Sequence, residues 1–255
     1  MQIKIKRYNS ETNLDDIISY EVPLDNPTLL EALNYIKTKL DASVSFAAGC
    51  RSGVCGSCAV RVNGVEELAC AYKVFDADLI EPLRNVTVLR DLIVDTESMQ
   101  RFNKIAKTFS STNVGEQIVS QEEAEINELQ SDCILCGSCY SACPVYESNE
   151  NFIGPFALTR SWRYISDKRE QDGQVKMEVI QSNGIWDCTL CNECVPVCPQ
   201  GIAPKQDISM LRAKAGIMGF MDPNFGSGMD FQGNQGFGGG FGTPSFDGTP
   251  DFNAF

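Results

Sequence analysis

Ala48-Gly49-Cys50-Arg51-Ser52-Gly53-Val54-Cys55-Gly56-Ser57-Cys58, completed by Cys70, is the stretch on which the first half of the fold turns. Its spacing, C-x4-C-x2-C-x11-C, is that of a plant-type [2Fe–2S] site, where one loop supplies three thiolates and a later segment the fourth. Soft thiolates bind iron, and several must converge on one small volume. Gly49, Gly53 and Gly56 suit that task, because a backbone without Cβ atoms can wrap closely and aim N–H groups at anionic sulfur. Cys50, Cys55, Cys58 and Cys70 are therefore expected to hold one [2Fe–2S] cluster.

Further along, Cys133, Cys136, Cys139 and Cys143 precede Pro144, and Cys188, Cys191, Cys194 and Cys198 precede Pro199. Both runs read C-x2-C-x2-C-x3-C-P, so they are an internal duplication of the bacterial two-cluster ferredoxin kind. In that pattern three cysteines of a run serve one cluster and the fourth serves the other. The expected ligand sets are Cys133, Cys136, Cys139 and Cys198 for one [4Fe–4S] cluster, and Cys188, Cys191, Cys194 and Cys143 for a second. Each proline stops its loop and turns the chain away after the shared ligand. Disulfides would need an oxidising compartment and partners able to meet. All-cysteine zinc sites usually pair two separated C-x2-C knuckles, without a third cysteine at that spacing or a closing Cys-Pro. All twelve cysteines are thus read as iron ligands.

The 255 residues carry a net charge of −13 and no histidine. Nothing here neutralises phosphates with a basic stripe, which excludes a nucleic-acid partner. The missing imidazoles exclude His-ligated haem, Rieske-type ligation, His-containing zinc sites and His acid–base catalysis. No apolar run of about 18 residues is present to span a bilayer. Met1–Lys6 reads as a strand, without the apolar region of a secretion signal.

The pattern divides into residues 1–95, 96–220 and 221–255. In the first part Ile3 and Ile5, then Ile18, Tyr20, Val22 and Leu24, alternate as half-buried strands do. Thr28-Leu29-Leu30-Glu31 fits a capping box, and Leu29, Leu33, Ile36 and Leu40 share one helical face. Val60–Val65 with Asn63-Gly64 predicts a hairpin on a type I′ turn. Leu79–Glu81 and Val86–Val88 read as strands. In the second part Met99, Phe102, Ala106 and Phe109 keep helical spacing. A polar connector spans Ser110–Gln117, an exposed acidic helix spans Glu122–Leu129, and a helical segment runs near Phe156–Lys168. Trp162, Arg163 and Tyr164 read as helix packing and surface before any electron path, and Arg51 as loop-surface charge. Residues 221–255 are Gly/Phe-rich without periodicity and are expected to be flexible. The Gly236–Gly242 cluster follows no strand and opens no helix, so it is not read as a phosphate loop.

With those motifs in place, and with Phe152-Ile153-Gly154-Pro155 between the two runs, residues 1 to about 218 resemble the iron–sulfur subunit of succinate dehydrogenases and fumarate reductases. The resemblance implies an α+β fold: an N-terminal β-grasp [2Fe–2S] ferredoxin domain, then a mostly helical bacterial-ferredoxin-like two-cluster domain. It implies an electron relay between an FAD-containing flavoprotein and a quinone site at the membrane. The [2Fe–2S] cluster then lies nearest the flavin, and the 188–194 cluster nearest the membrane. Most family members lack the second cysteine of the last run and hold a [3Fe–4S] cluster there; Cys191 supplies it here, so a [4Fe–4S] cluster is expected in its place. Ser148 and Thr189 stand where many members have a quinone-side tryptophan and histidine. Both departures are similar to the subgroup with a cysteine-rich, heterodisulfide-reductase-like third subunit, which includes archaeal succinate dehydrogenases and methylmenaquinol:fumarate reductases. Attachment is then peripheral at the cytoplasmic membrane, on the cytoplasmic face or, if exported with a twin-arginine-targeted flavoprotein, on the outer one. The competing expectations are a thiol-linked fumarate reductase subunit and a free-standing soluble electron carrier.

Overall fold

Ile3 and Ile5 are fully buried while Gln2 and Lys4, alternating with them, face outward, the period of a strand packed on one side. In the computed structural model, which describes residues 1–9, 12, 14–111 and 118–223, they belong to β1 (Gln2–Asn9), paired antiparallel with β2 (Leu14–Glu21). Tyr20 and Val22 are buried as expected, but Ile18 is exposed.

Helix α1 (Leu29–Tyr35) opens on the predicted capping box. The Thr28 amide donates to Glu31 at 2.7 Å, and the Glu31 amide donates back to Thr28 Oγ1 at 3.2 Å. A wider turn, Ile36–Leu40, extends it, and Leu40 is exposed. β3 (Ala59–Val62) and β4 (Val65–Leu68) form the hairpin, with φ of +51° at Asn63 and +89° at Gly64, as a type I′ turn needs. β5 (Leu79–Glu81) then slots between β1 and β3, parallel to the first and antiparallel to the second. The sheet order is β2-β1-β5-β3-β4. Leu29, Leu33 and Ile36 cover this sheet in one core with Ile3, Ile5, Val60, Val62 and Ile80. Each such side chain contributes about 1.5–3 kcal/mol of burial. This is the β-grasp arrangement.

The strand expected at Val86–Val88 starts later. β6 (Val88–Arg90) pairs with β7 (Ile93–Val94) outside the main sheet. Helix α2 (Glu97–Ile105) buries Met99 and Phe102 but stops short of Phe109, which is exposed. Lys107, at φ +48°, breaks the helical path there.

The acidic stretch forms two short helices, α3 (Gln121–Glu125) and α4 (Glu128–Ser131), neither burying a residue. Residues 112–117 of the polar connector lie outside the described residues, as does the glycine-rich end from 224 onward with its Gly236–Gly242 cluster. α5 (Ser138–Ser141), α6 (Pro155–Ile165), α7 (Gly173–Val179) and α8 (Pro204–Ile217) complete the helical part. Pro155 and Pro204 occupy first helical positions, where a missing N–H costs nothing. A second core gathers Phe102, Tyr140, Phe152, Phe156, Trp162 and Leu211. Ile134 and Cys136 pack instead against the first core, so the first cysteine run begins on the sheet domain, whereas Cys139 and Cys143 join the second core. Among the described residues no helix is long and apolar enough to cross a membrane.

Candidate iron–sulfur sites

The loop from Cys50 to Cys58 is wound so that amides point inward at sulfur. The amides of Ser52, Val54 and Cys55 lie 3.4, 3.3 and 3.3 Å from Cys50 Sγ. The Cys50 amide is 3.3 Å from Cys55 Sγ, and the Gly53 amide 3.2 Å from Cys70 Sγ. These bonds, that of Ser52 foremost, draw the Cys50 thiol down to about 6. The Ser57 hydroxyl leads the downward pull on Cys55. Cys58 sits on the inner side of the loop, where burial pushes it up to about 11. Cys58 also feels the charge of Cys70 and Cys55, so the three thiols lie close to one another.

The duplicated runs share backbone as well as spacing. Leu135 and Leu190, each just before the second cysteine of its run, have φ of +54° and +55°. Gly137 and Asn192, just after that cysteine, have φ of +84° and +78°. Positive φ is unusual for a leucine, and here it turns the Leu190 amide to 3.4 Å from Cys188 Sγ. The Leu135 amide likewise counteracts the effect of burial on Cys133. Glycine and asparagine at the second position are the types that tolerate this conformation, a signal present in the sequence; the leucines gave none.

The chain folds so that each run closes over the other. Cys133, Cys136, Cys139 and Cys198 line one small cavity, walled by Ile134, Phe156 and Ile202. Cys143 lies within electrostatic reach of Cys188 and Cys191, and Cys194 within reach of Cys188, Cys143 and Cys191. Burial raises the thiols of Cys133, Cys136, Cys139 and Cys188, and lifts Cys143 to about 11 and Cys194 to about 12. Neighbouring cysteines add to the rise at Cys139, Cys143 and Cys194 by mutual repulsion of their thiolates. A bound cation removes both penalties, since a coordinating thiol is deprotonated outright. The twelve cysteines are all free of disulfides. Among the described residues no three Cys, Asp or Glu side chains converge tightly enough for a single ion. Four thiols lining one cavity, Cys133, Cys136, Cys139 and Cys198, are the kind of donor set that an iron–sulfur cluster takes.

Several residues that position these loops carried no sequence signal. Asn85, at φ +62°, donates from Nδ2 to the carbonyls of Tyr140, Ser141 and Cys143 at 3.1, 3.1 and 3.2 Å. Arg212 on α8 holds the entry to the last run, donating to the carbonyls of Ile185 at 2.7 Å, Trp186 at 3.3 Å and Cys188 at 2.6 Å. Its charge also favours the Cys188 thiolate. Trp162 is buried in the second core, in keeping with helix packing.

A β-grasp domain with one thiolate loop, joined to a helical unit with two interleaved cysteine runs, defines an iron–sulfur electron-transfer protein. Residues 2–101 match the family model of a 2Fe-2S iron-sulfur cluster binding domain, and residues 129–202 that of a 4Fe-4S dicluster domain. The chain is 37% identical over 232 residues to the 8-methylmenaquinol:fumarate reductase iron-sulfur subunit of Wolinella succinogenes, covering 84% of this chain and 72% of that one. It is 36% identical over 233 residues to the fumarate reductase iron-sulfur subunit of Haemophilus influenzae, covering 82% and 90%. A chain of the Mycobacterium smegmatis Sdh1 complex in the apo form shares the fold, with a TM-score of 0.75 at 22% identity over 85% of this chain and 95% of that one. This chain belongs to the iron–sulfur subunits of the fumarate reductase and succinate dehydrogenase family, and electron transfer within such a complex is its function.

Proposed function

We propose that residues 1–95 and 96–220 are the two domains of an electron relay holding one [2Fe–2S] and two [4Fe–4S] clusters. Cys50, Cys55, Cys58 and Cys70 hold the first, and Cys133, Cys136, Cys139 and Cys198 the second. Cys188, Cys191, Cys194 and Cys143 hold the third, a [4Fe–4S] cluster in place of the [3Fe–4S] expected of most relatives. The observation that carries this reading is the mixed cavity, in which Cys198 joins three cysteines some sixty positions earlier in the chain. Bound clusters supply one-electron chemistry, and the protein tunes it through amide–sulfur bonds, burial and nearby charge.

The relay connects an FAD-containing flavoprotein, where succinate and fumarate interconvert, to a cysteine-rich third subunit that reacts with quinol. The Wolinella relative is named for 8-methylmenaquinol, and Cys191 supports placement in its subgroup. The chain converts no substrate itself and sits peripherally at the cytoplasmic membrane, its face set by the flavoprotein it travels with. Anaerobic purification of the native complex, mass spectrometry of its subunits and iron analysis test this together. The expected result is a flavoprotein and a cysteine-rich partner co-purifying with this chain, and about ten irons per copy in this chain once it is separated anaerobically from its partners, so that their iron is not counted with it. Isolation as a monomer without flavoprotein, or about nine irons with a three-iron signal, would overturn the corresponding part. Activity with small thiols and none with quinols would overturn the quinol assignment.

A further inference from the structure

Gly56 lies between two cysteines of the first set, yet its nearest neighbours belong to the second. Its φ is +71°, and a Cβ built on it would stand 2.8 Å from both Cα and Cβ of Cys136 and 3.0 Å from the Ile134 carbonyl oxygen. Carbon atoms in good contact stand about 3.5–4.0 Å apart. The two cysteine loops therefore touch only because residue 56 has no side chain. Gly53 offers the contrast. Its φ is +76°, but a Cβ there would meet nothing within 4 Å.

A second bond registers the same two loops. The Gly53 carbonyl accepts from Gln200 Nε2 at 3.3 Å, across 147 residues of chain, while the Gly53 amide faces Cys70 Sγ. Gln200 follows Cys198 and Pro199. The first loop thus rests against Cys136, a member of the mixed quartet, and is tied to the segment that follows Cys198, another member. A cavity of about 350 Å³, lined in part by Cys55, Gly56, Leu83, Met99 and Cys136, flanks the contact and gives the loop room to shift.

We propose that Gly56 is a spacer, the positioning residue that fixes the separation between the first and second cluster sites, with the Gln200–Gly53 bond as its second point of registration. The proposal rests on the cluster assignment above. Magnetic coupling between paramagnetic centres falls steeply with distance, so a small displacement of the loops registers there while iron content stays unchanged.

The test uses Gly56→Ala and Gly56→Asn in the intact, anaerobically purified complex. Asparagine accepts positive φ, so it adds the wedge with little backbone strain. Iron content and power-saturation EPR of the reduced [2Fe–2S] signal are then compared with wild type. The wild-type signal is expected to relax faster when the second centre is also reduced. Gly56→Asn is expected to weaken that enhancement measurably while keeping the iron content and the g-values of the first centre. Gln200→Leu is expected to lose part of it. Unchanged enhancement in Gly56→Asn at full iron content overturns the proposal. So does disappearance of the [2Fe–2S] signal in both Gly56 variants, which would assign the glycine to its own loop alone. A wild-type complex short of iron would instead overturn the cluster assignment, before any variant is read.

Discussion

Ser141 and Glu66 meet across 2.7 Å in the protein interior, where the fully buried serine hydroxyl donates to a carboxylate that is 4% exposed. The same serine oxygen accepts from the Arg84 amide at 2.8 Å, and Arg61 Nε stands 3.4 Å from Glu66. Glu66 lies on β4 and Ser141 two residues before Cys143, so this bond fastens the sheet domain to the first duplicated run.

Ser141→Ala leaves the Glu66 carboxylate with only its arginine and the Arg84 amide without a partner. The expected loss is about 1–3 kcal/mol. A lower urea midpoint at unchanged slope, measured anaerobically, reports it. Glu66→Gln keeps an acceptor for the serine and is expected to cost less. An unchanged midpoint for Ser141→Ala would show that the bond contributes nothing net.

Cys191→Ser tests the ligand set proposed for the third cluster. The expected outcome is loss of about one iron per chain and a three-iron EPR signal in the oxidised protein, with the [2Fe–2S] signal intact. A full complement of two [4Fe–4S] clusters after the substitution would contradict the ligand assignment.

Burial raises Asp207 from 3.8 to about 6, against hydrogen bonds from Thr159 at 2.8 Å and Gln130 at 2.7 Å. A carboxyl raised in this way holds its proton more firmly in the folded state than in the unfolded one. Its contribution to stability is fully present below the unfolded value and is lost as pH rises through about 6. At neutral pH the loss is about 3 kcal/mol. Asp207→Asn should flatten the dependence of the unfolding midpoint between pH 4 and 6 and raise it at pH 7. A midpoint in wild type that climbs steadily over that interval through this group would refute the assignment.

Lys176 is buried with Glu170, their charged atoms 3.4 Å apart, and its ammonium also reaches the carbonyls of Lys107, at 3.0 Å, and Phe109. It pins the chain where α2 ends. Lys176→Met leaves the buried Glu170 carboxylate with the amides of Ser111 and Asp172 but without its lysine and is expected to cost about 3–5 kcal/mol, with faster hydrogen exchange in residues 107–111. The double change with Glu170→Gln should recover part of that loss; failure to recover any would show that packing, and not the unpaired charge, dominates.

The capping box at Thr28, the Asn63-Gly64 turn and the alternation of Ile3 and Ile5 were legible because each is a local device, complete within a few residues. The meeting of Cys198 with Cys133, Cys136 and Cys139 at one cavity was legible for a related reason: a duplicated spacing names its own partner. Phe109 and Val86 misled because an apolar residue at the right spacing does not reveal a backbone that has already turned, at Lys107, or a strand that starts two residues later. Arg212 and Asn85 were silent, since their work is done on carbonyls contributed by distant segments.

Short-range spacing was enough to specify thiolate chemistry, the number of cysteine groups and the order of sheet and helical parts, because loops of two or three residues between ligands leave the backbone few choices. The distances between those groups were chosen only in three dimensions. Gly56 against Cys136, Gln200 against Gly53 and Ser141 against Glu66 join residues far apart in the chain, and such contacts depend on how two buried cores meet, which no local pattern encodes.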